Sequence, residues 1–140
     1  MTGRGTEAAK LLGPLGAEVM EVLWSAGEPV AVRAVLDRLN RGRAELLAYT
    51  TVMTVLTRLA DRGAAKRTPA GRGYAYEAAV ADAAELAVRE VVRDHGTAAV
   101  AHFVDQARTD PQLLTRLQQL LGDEQGSAGP GEPARTRRED

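Results

Sequence analysis

The segment Ala48–Arg62 restricts the fold more than any other part of the sequence, because its two faces differ sharply. Apolar residues recur there with a helical period, which predicts an amphipathic helix that buries one face. These residues are Tyr49, Val52, Met53, Leu56, Leu59 and Ala60. The opposite face carries Thr51, Thr54, Val55, Arg58 and Arg62, and no carboxylate interrupts it before Asp61. A solvated helix face normally mixes charges of both signs, so this strip of threonine and arginine is a candidate binding surface.

The segments around this helix predict the element order of a winged helix-turn-helix. Apolar stripes indicate two helices before it, with a short β-branched strand between them. Gly63 ends the helix, and two short runs around a Pro/Gly-rich connector then indicate a β-hairpin. The predicted elements are a helix over 14–26, a strand at 30–32, a helix through 39, a polar connection over 40–45, the helix over 48–62, and hairpin strands at 64–68 and 74–78 joined by 69–73.

The chain becomes helical again after the hairpin. Three further helices are expected, each beginning at a capping residue. They are a helix from Asp82 to about His95, a helix from Thr97 to Ala107, and a helix that Asp110-Pro111 begins and Gly122 ends. From Gln125 the composition turns to Gly, Pro, Glu and Arg, which predicts disorder because such a segment cannot bury a core.

The composition excludes several classes of site. Without cysteine, the chain forms no disulfide, thiolate zinc site, iron–sulfur cluster or thiol nucleophile. No apolar run approaches the roughly 18 residues of a membrane helix. The N-terminal sequence MTGRGTEAAK also lacks the apolar stretch of a secretory signal. We therefore expect a cytoplasmic protein without membrane insertion.

Charge is unevenly distributed along the chain, although the net charge is −1. Through Tyr76, eleven Lys and Arg stand against seven Asp and Glu, whereas from Glu77 to Gln125 four stand against nine. A basic N-terminal half joined to an acidic C-terminal half suggests two tasks, and that the basic half faces a polyanion.

The exposed face of the predicted 48–62 helix suits the major groove of DNA, which admits one α-helix. Arg58 can donate two hydrogen bonds to a guanine, and Thr51 and Thr54 can hydrogen-bond base edges or pack methyl groups against thymine. Val55 is a candidate apolar contact, and Thr50, at the helix start, is expected to hold a phosphate. The alternative interpretation is a threonine-rich, solvated face of a structural helix.

Basic residues near this helix are candidates for phosphate contacts. They are Lys66, Arg67 and Arg72 on the wing, Arg41 and Arg43 before the helix, and Arg62 at its end. The alternative for each is an ordinary solvated side chain. Each phosphate contact that is lost should lower the salt slope of binding by about 0.9.

The sequence offers no arrangement for catalysis or metal binding. His95 and His102 are seven residues apart and His102 pairs with Asp105 at i, i+3, but Gly96 interrupts the helix between the histidines. Neither a Ser–His–Asp pattern, a phosphate loop nor paired buried carboxylates are apparent. We therefore predict no enzymatic activity, no metal and no cofactor. The larger side chains predicted to lie in the core are Met20, Trp24, Tyr49, Met53 and Tyr76.

Four stretches together carry a family likeness. They are LGAEVMEVLW at 15–24, AYTTVMTVLTRL at 48–59, GRGYAY at 71–76, and AHFV at 101–104 with the leucine-rich helix after it. In these stretches the chain resembles the penicillinase repressor family (BlaI/MecI/CopY), in which the third stretch corresponds to the wing and the fourth to the dimerisation half. The resemblance covers roughly residues 14–123.

The resemblance implies a homodimeric bacterial repressor of an inverted-repeat operator with TACA/TGTA half-sites, controlling β-lactam-resistance or cell-envelope genes. In the penicillin-responsive members, a membrane sensor protease or a process that it triggers leads to cleavage before a phenylalanine that corresponds to Phe103. The implied cleavage bond is therefore His102–Phe103, although well-known members have asparagine where His102 stands. The copper-responsive branch uses a C-terminal cysteine cluster and is excluded, because this chain has no cysteine.

The last predicted helix carries a leucine stripe that three short, alanine-rich helices cannot easily cover within one chain. Two copies can cover it, and apolar burial at about 25 cal/mol per Å² would drive their association. The expected dimer interface consists of Phe103, Val104, Leu113, Leu117, Leu120 and Leu121.

The sequence thus predicts a mainly α protein with a small β wing: a winged helix-turn-helix followed by a helical dimerisation domain. The expected order is a flexible leader over 1–13, a DNA-binding domain over 14–80, the dimerisation domain over 81–124 and a disordered tail over 125–140. Two alternatives stay open. One is a winged-helix module that binds protein rather than DNA, and the other is a repressor that senses a small ligand between its halves.

Overall fold

The computed structural model describes residues 2–128, which form seven helices and one three-stranded sheet. The elements are α1 (Thr2–Leu12), α2 (Pro14–Ala26), β1 (Val30–Ala31), α3 (Val32–Asn40), α4 (Tyr49–Arg62), β2 (Ala65–Ala70), β3 (Gly73–Ala78), α5 (Ala83–His95), α6 (Thr97–Arg108) and α7 (Pro111–Ala128). A mainly α fold with a small β wing is therefore confirmed.

The chain divides into two compact units inside α5. The first unit ends at Glu90 and the second begins at Val91. This division falls later than the boundary between residues 80 and 81 that the sequence predicts, because the first turns of α5 pack on the N-terminal core. Leu86 belongs to that core and is 1% exposed.

The core of the first unit is built from α2, α3 and α4 packed on the sheet. Its largest fully buried side chains are Met20, Leu23, Leu56, Leu86, Val19, Val35 and Val52. The buried residues of α4 follow the period that the sequence shows, since Val52, Leu56 and Leu59 lie on one face. Burial of such a side chain contributes about 1.5–3 kcal/mol.

The buried stripe of α4 is narrower than the apolar pattern predicts. The exposed fractions of Tyr49 and Met53 are 38% and 42%, so their assignment to the core is wrong. The Tyr49 ring instead packs under the guanidinium of Arg33, with 5.0 Å between Arg33 Cζ and the ring centroid. A helical period shows which residues share a face, but not how much of that face its neighbours cover.

Of the other large side chains that the sequence predicts in the core, two are buried and one is half-buried. Met20 and Tyr76 are buried, as expected. Trp24 is half-buried against the core, and its indole Nε1–H donates a hydrogen bond to the carbonyl of Val80 at 2.8 Å. This bond ties α2 to the segment that follows the wing.

The sheet is antiparallel with the strand order β1-β3-β2. Pairing of the hairpin continues to Ala70 opposite Gly73, so the connector consists of residues 71 and 72 rather than the predicted 69–73. Gly71 has a φ of 60°, a left-handed conformation that glycine adopts without strain. Pro69, opposite Tyr74, lies on the edge strand β2, where a missing N–H is tolerated.

The N-terminal segment differs from the predicted flexible leader, because Thr2–Leu12 is helical. Ala8 is fully buried in a small cluster with Ala17 and Ala83, and Leu11 and Leu12 pack against both this cluster and the main core. Helix α1 is thus held by contacts with α2 and the start of α5. A short alanine-containing segment shows no clear apolar period, so the sequence does not indicate these contacts.

Two of the three predicted caps of the C-terminal helices are confirmed. Asp82 Oδ1 accepts from the Glu85 N–H at 2.9 Å, and Asp110 Oδ1 accepts from the N–H groups of Gln112 and Leu113 at 3.1 and 3.2 Å. Thr97 is wrong as a cap. The N-cap of α6 is Gly96, whose φ of 59° is left-handed and which makes no side-chain cap bond.

The last helix is longer than predicted. It continues through Gly122 to Ala128. A single glycine in an exposed helix costs about 1 kcal/mol relative to alanine, which does not by itself end the helix. The start of the predicted tail over 125–140 is therefore helical, and residues 129–140 lie outside the described part of the chain.

Leu56→Ala tests the core. We expect the free energy of unfolding to fall by about 2–5 kcal/mol, because the change leaves a cavity beneath α4. Leu46→Ala is the matched control, since Leu46 is 70% exposed and its loss should cost less than about 0.5 kcal/mol. Chemical denaturation followed by circular dichroism measures both, and equal losses would contradict the core described above.

Candidate nucleic-acid interface

The face of α4 opposite the core is exposed and carries the residues that the sequence predicts to read DNA. Thr50, Thr51, Thr54 and Arg58 are all exposed. Val55 is half-buried and packs against the core, so only part of its side chain faces outward. Burial of the opposite stripe fixes this orientation, because rotating the helix to hide the threonines would expose the core leucines.

A cleft of about 640 Å³ runs along one side of this face. Thr51, Thr54, Val55 and Arg58 line one wall, and the junction of α1 and α2 over Leu12–Gly16 lines the other. The sequence does not predict the second wall, because it depends on where α1 packs. The threonine and arginine side chains therefore stand at the rim of a concave surface.

Arg58 is available for a ligand, unlike Arg43 and Arg62, which are bonded within the first unit. Among the described residues, no side chain forms a hydrogen bond or an ion pair with it. It projects from the middle of the exposed face, with Thr51 and Thr54 in the preceding turns. An unpaired guanidinium beside two hydroxyl groups suits the acceptors on base edges and phosphates.

The wing presents its three basic residues differently. Lys66, Arg67 and Arg72 are exposed, with Arg72 at the hairpin turn. Lys66 and Arg67 are neighbours on one strand, so their side chains point to opposite faces of the hairpin. Arg67 lies over the Tyr74 ring at 4.8 Å from Cζ to the centroid. A side-chain hydrogen bond with Tyr76 raises the pKa of Arg67.

The loop between α3 and α4 is closed by one asparagine. Asn40 Oδ1 accepts from the Leu47 N–H at 2.8 Å, and Asn40 Nδ2 donates to the Leu47 carbonyl at 3.2 Å. These two hydrogen bonds resemble those of a backbone β-bridge. They fix the distance between Asn40 and Leu47 across the loop that leads into α4. The sequence shows a polar connection here, but it does not reveal that Asn40 is bonded to Leu47.

The two loop arginines have different surroundings. Arg41 is exposed. Arg43 is directed inward, and its Nη2 donates to Glu18 Oε1 on α2 at 2.9 Å. Its Nε is buried without a hydrogen-bond partner in the described residues. Arg43 is thus less available to a phosphate than the sequence predicts.

Arg62 also departs from the prediction of a DNA contact. Its Nε and Nη2 donate to the two carboxylate oxygens of Glu90 at 2.8 and 3.3 Å, and its Nη1 donates to the Leu11 carbonyl at 3.0 Å. Three of its five N–H groups are therefore occupied within the first unit. The sequence places Arg58 and Arg62 on the same strip of α4, but of these two only Arg62 forms hydrogen bonds within the described part of the chain.

The second unit displays apolar side chains on its surface. Of the predicted interface residues, Phe103, Leu120 and Leu121 are exposed by 47%, 48% and 57%, while Val104, Leu113 and Leu117 are half-buried. A groove of about 400 Å³ lies beside Phe103 and is lined by Val91, His95, Ala98, Ala99, His102 and Gln106. Both histidines thus border one groove, but no cluster of three or more metal-ligand residues occurs in the described chain.

Comparison with known proteins gives this geometry a context. The family model described as Penicillinase repressor matches residues 12–123. Two proteins named "Transcriptional regulator BlaI", from Mycobacterium tuberculosis strains CDC 1551 / Oshkosh and ATCC 25618 / H37Rv, are each 40% identical to the chain over 107 residues. The matched region is 71% of this chain and 75% of each relative. The chain belongs to the penicillinase repressor family.

Membership of the penicillinase repressor family identifies the chain as a DNA-binding transcriptional repressor, as the resemblance implies. The family match starts at Leu12, the last residue of α1. Almost all of α1 therefore precedes the region that this chain shares with the family. Over residues 2–128, no helix is both long and apolar enough to cross a membrane.

Asn40→Ala tests the role of Asn40 in closing the loop before α4. The change removes both bonds to Leu47 and leaves the N–H and the carbonyl of Leu47 without these partners. We expect the free energy of unfolding to fall by about 1–3 kcal/mol and the Leu47 amide hydrogen to exchange faster with solvent. Hydrogen exchange followed by NMR measures the second effect. Asp37→Ala, on the exposed face of α3, is the control, and an unchanged Leu47 exchange rate would show that another contact closes the loop.

Proposed function

We propose that the chain is a homodimeric repressor that reads an inverted-repeat operator of the TACA/TGTA type through the exposed face of α4. The observation that carries this proposal is the unpaired Arg58 beside Thr51 and Thr54, on a helix whose other face is locked in the core. The family supplies the class of protein, and the geometry supports the choice of reading residues.

Base reading is assigned to the middle of the face. The Arg58 guanidinium donates two hydrogen bonds to the O6 and N7 acceptors of a guanine. Thr51 and Thr54 present both a hydroxyl and a methyl group, which suit the base edges and the thymine methyl groups of a TACA/TGTA sequence. The exposed part of Val55 adds an apolar contact.

Phosphate contacts are assigned around this centre. Thr50 lies at the start of α4, where free backbone N–H groups favour an anion. On the wing, Lys66, Arg67 and Arg72 are exposed and reach the phosphates of the DNA backbone beside the groove that α4 enters. Arg41 is retained as a candidate. Arg43 and Arg62 are not assigned phosphate contacts, because each is bonded within the protein.

The second unit is assigned to dimer formation. Phe103, Leu120 and Leu121 leave apolar surface exposed that a second copy would cover, and Val104, Leu113 and Leu117 extend the same patch. A dimer matches the two-fold symmetry of an inverted repeat, and linking two half-site contacts raises affinity without new contacts on either half.

Release from DNA is assigned to disruption of the dimer. The bond implied by the family, His102–Phe103, lies inside helix α6 with both residues exposed. The release route that the family suggests is a membrane sensor protease, or a process that it triggers, acting in response to β-lactams. Cleavage in α6 would remove the leucine-rich α7 from the DNA-binding unit.

The reading face is tested by Thr54→Val and Arg58→Ala. Fluorescence anisotropy compares a palindromic TACA/TGTA duplex with a scrambled duplex over a range of salt concentrations. We expect Arg58→Ala to weaken binding to the palindrome by about 1–3 kcal/mol, since a bidentate guanine contact is lost. Thr54→Val keeps the methyl group but loses the hydroxyl, and we expect a smaller loss.

Matched variants separate base contacts from charge effects. Arg93→Ala removes the same charge from the acidic half and should leave affinity unchanged, and Thr57→Val removes a hydroxyl that already donates to the Met53 carbonyl at 2.9 Å. Arg72→Ala should weaken both duplexes alike and lower the salt slope by about 0.9. Full operator affinity in Arg58→Ala would contradict the assigned reading face.

The dimer is tested by changing Leu120 and Leu121 together to serine. We expect the sedimentation coefficient to shift from dimer to monomer, because the change removes apolar surface from the proposed contact. Operator affinity should fall with it. Leu46→Ser is the control, because Leu46 is an exposed leucine on the first unit. If the double variant sedimented as the unaltered chain does, the assigned dimer interface would be wrong.

A further inference from the structure

Arg62 is held on two sides by groups that are distant in the sequence. Its guanidinium forms a two-point ion pair with Glu90 on α5 and a third hydrogen bond with the carbonyl of Leu11 on α1. The Glu90 side chain is 17% exposed and that of Arg62 is 36% exposed, so the pair is partly shielded from solvent. A bidentate arginine–carboxylate pair is directional and fixes orientation as well as distance.

Arg62 lies on the same helix as the proposed reading residues. Arg62 follows Arg58 by one helical turn and lines the same cleft. It is also the last residue of α4, where a positive charge interacts favourably with the helix dipole. The Leu11 carbonyl is one of the last four of α1, a group that has no partner within its own helix. One guanidinium therefore joins the ends of α4 and α1 to the side of α5.

We propose that Arg62 and Glu90 are a positioning pair, which sets the depth and tilt of the α4 reading face without contacting DNA. The proposal rests on the function proposed above for Thr51, Thr54 and Arg58. Because α4 presents these side chains from one rigid helix, a small rotation at its C-terminal end moves all three relative to the base edges. The pair would thus act on specificity rather than on general attraction to DNA.

Glu90 lies on the helix that connects the first unit to the second. It is the last residue of the first unit, and α5 continues beyond it to His95 in the second unit. A change that shifts or unwinds α5 would therefore act directly on the residue that holds Arg62.

The alternative is that Arg62 leaves Glu90 and binds a phosphate when DNA is present. The two roles predict opposite effects of Glu90→Gln. If Arg62 positions α4, loss of the carboxylate weakens specific binding. If Arg62 binds phosphate, loss of its competitor strengthens binding to every duplex.

The experiment uses the full chain and measures fluorescence anisotropy on the operator duplex and on a scrambled duplex across salt concentrations. The variants are Arg62→Ala, Glu90→Gln and the double variant, which has the same net charge as the unaltered chain. We expect each of the three to bind the operator about tenfold more weakly, the equivalent of one lost base contact. Binding to the scrambled duplex should change less than about twofold in Glu90→Gln and in the double variant, with an unchanged salt slope.

Two controls test whether the loss of any ion pair on α5, or a failure to fold, accounts for the result. Arg89→Gln removes the exposed ion pair with Glu85 on the same helix, and it should leave both affinities unchanged. Thermal melting identifies any variant that fails to fold, and Arg62→Lys then replaces Arg62→Ala. Lysine keeps the charge but cannot form the two-point pair, so it should lose specificity while keeping the salt slope.

Several outcomes would overturn the proposal. Tighter binding by Glu90→Gln, or equal weakening on both duplexes with a salt slope lower by about 0.9 in the double variant, would make Arg62 a phosphate contact. Unchanged operator affinity in the double variant would leave the pair without any effect on reading. If the unaltered chain preferred no duplex, including those selected from random DNA, the proposed function itself would fail. If the unaltered chain bound the operator specifically and the variants bound it equally well, only the positioning role would be refuted.

Discussion

The structure of the first unit depends on the burial of one face of α4. Val52, Leu56 and Leu59 fill the groove between α2, α3 and the sheet, and they leave the helix a single orientation. That orientation exposes Thr51, Thr54 and Arg58 together. The same hydrophobic contacts that stabilise the domain thus select which side chains a ligand meets. No further contact is needed to turn these side chains outward.

The two ends of α4 are held by polar contacts. Asn40 closes the loop before the helix by bonding the N–H and the carbonyl of Leu47, and Arg62 fixes the last turn of the helix to Glu90 and Leu11. The first unit therefore uses its basic residues in two ways. Arg43 and Arg62 are bonded within the protein, whereas Arg58 and Arg72 have no such partner in the described residues. A count of positive charges cannot make this distinction.

The limits of sequence interpretation follow from the range of the interactions. The bounds of α2 and the exposed strip of α4 were predictable, because a helical period and a glycine stop are local signals. The partners of Arg62 were not, because they lie 28 and 51 positions away along the chain. The helical state of 2–12 was not either, because Ala8 is held by packing with Ala17 and Ala83, which no local pattern shows. The predicted burial of Tyr49 and Met53 is wrong for a related reason. Their period is correct, but the width of the covering surface is set by other elements.

The hairpin carries a feature that bears on solubility. An antiparallel ladder alternates between hydrogen-bonded and non-bonded pairs. In a two-residue hairpin the closing pair, Ala70 and Gly73, is the bonded one, so the next residue, Pro69, faces its nitrogen to the open edge. That edge lacks a donor where another strand would need one, and Lys66 and Arg67 add charge beside it. Two wings brought close on one duplex, or many chains crowded in a cell, therefore meet a sheet border that resists strand addition.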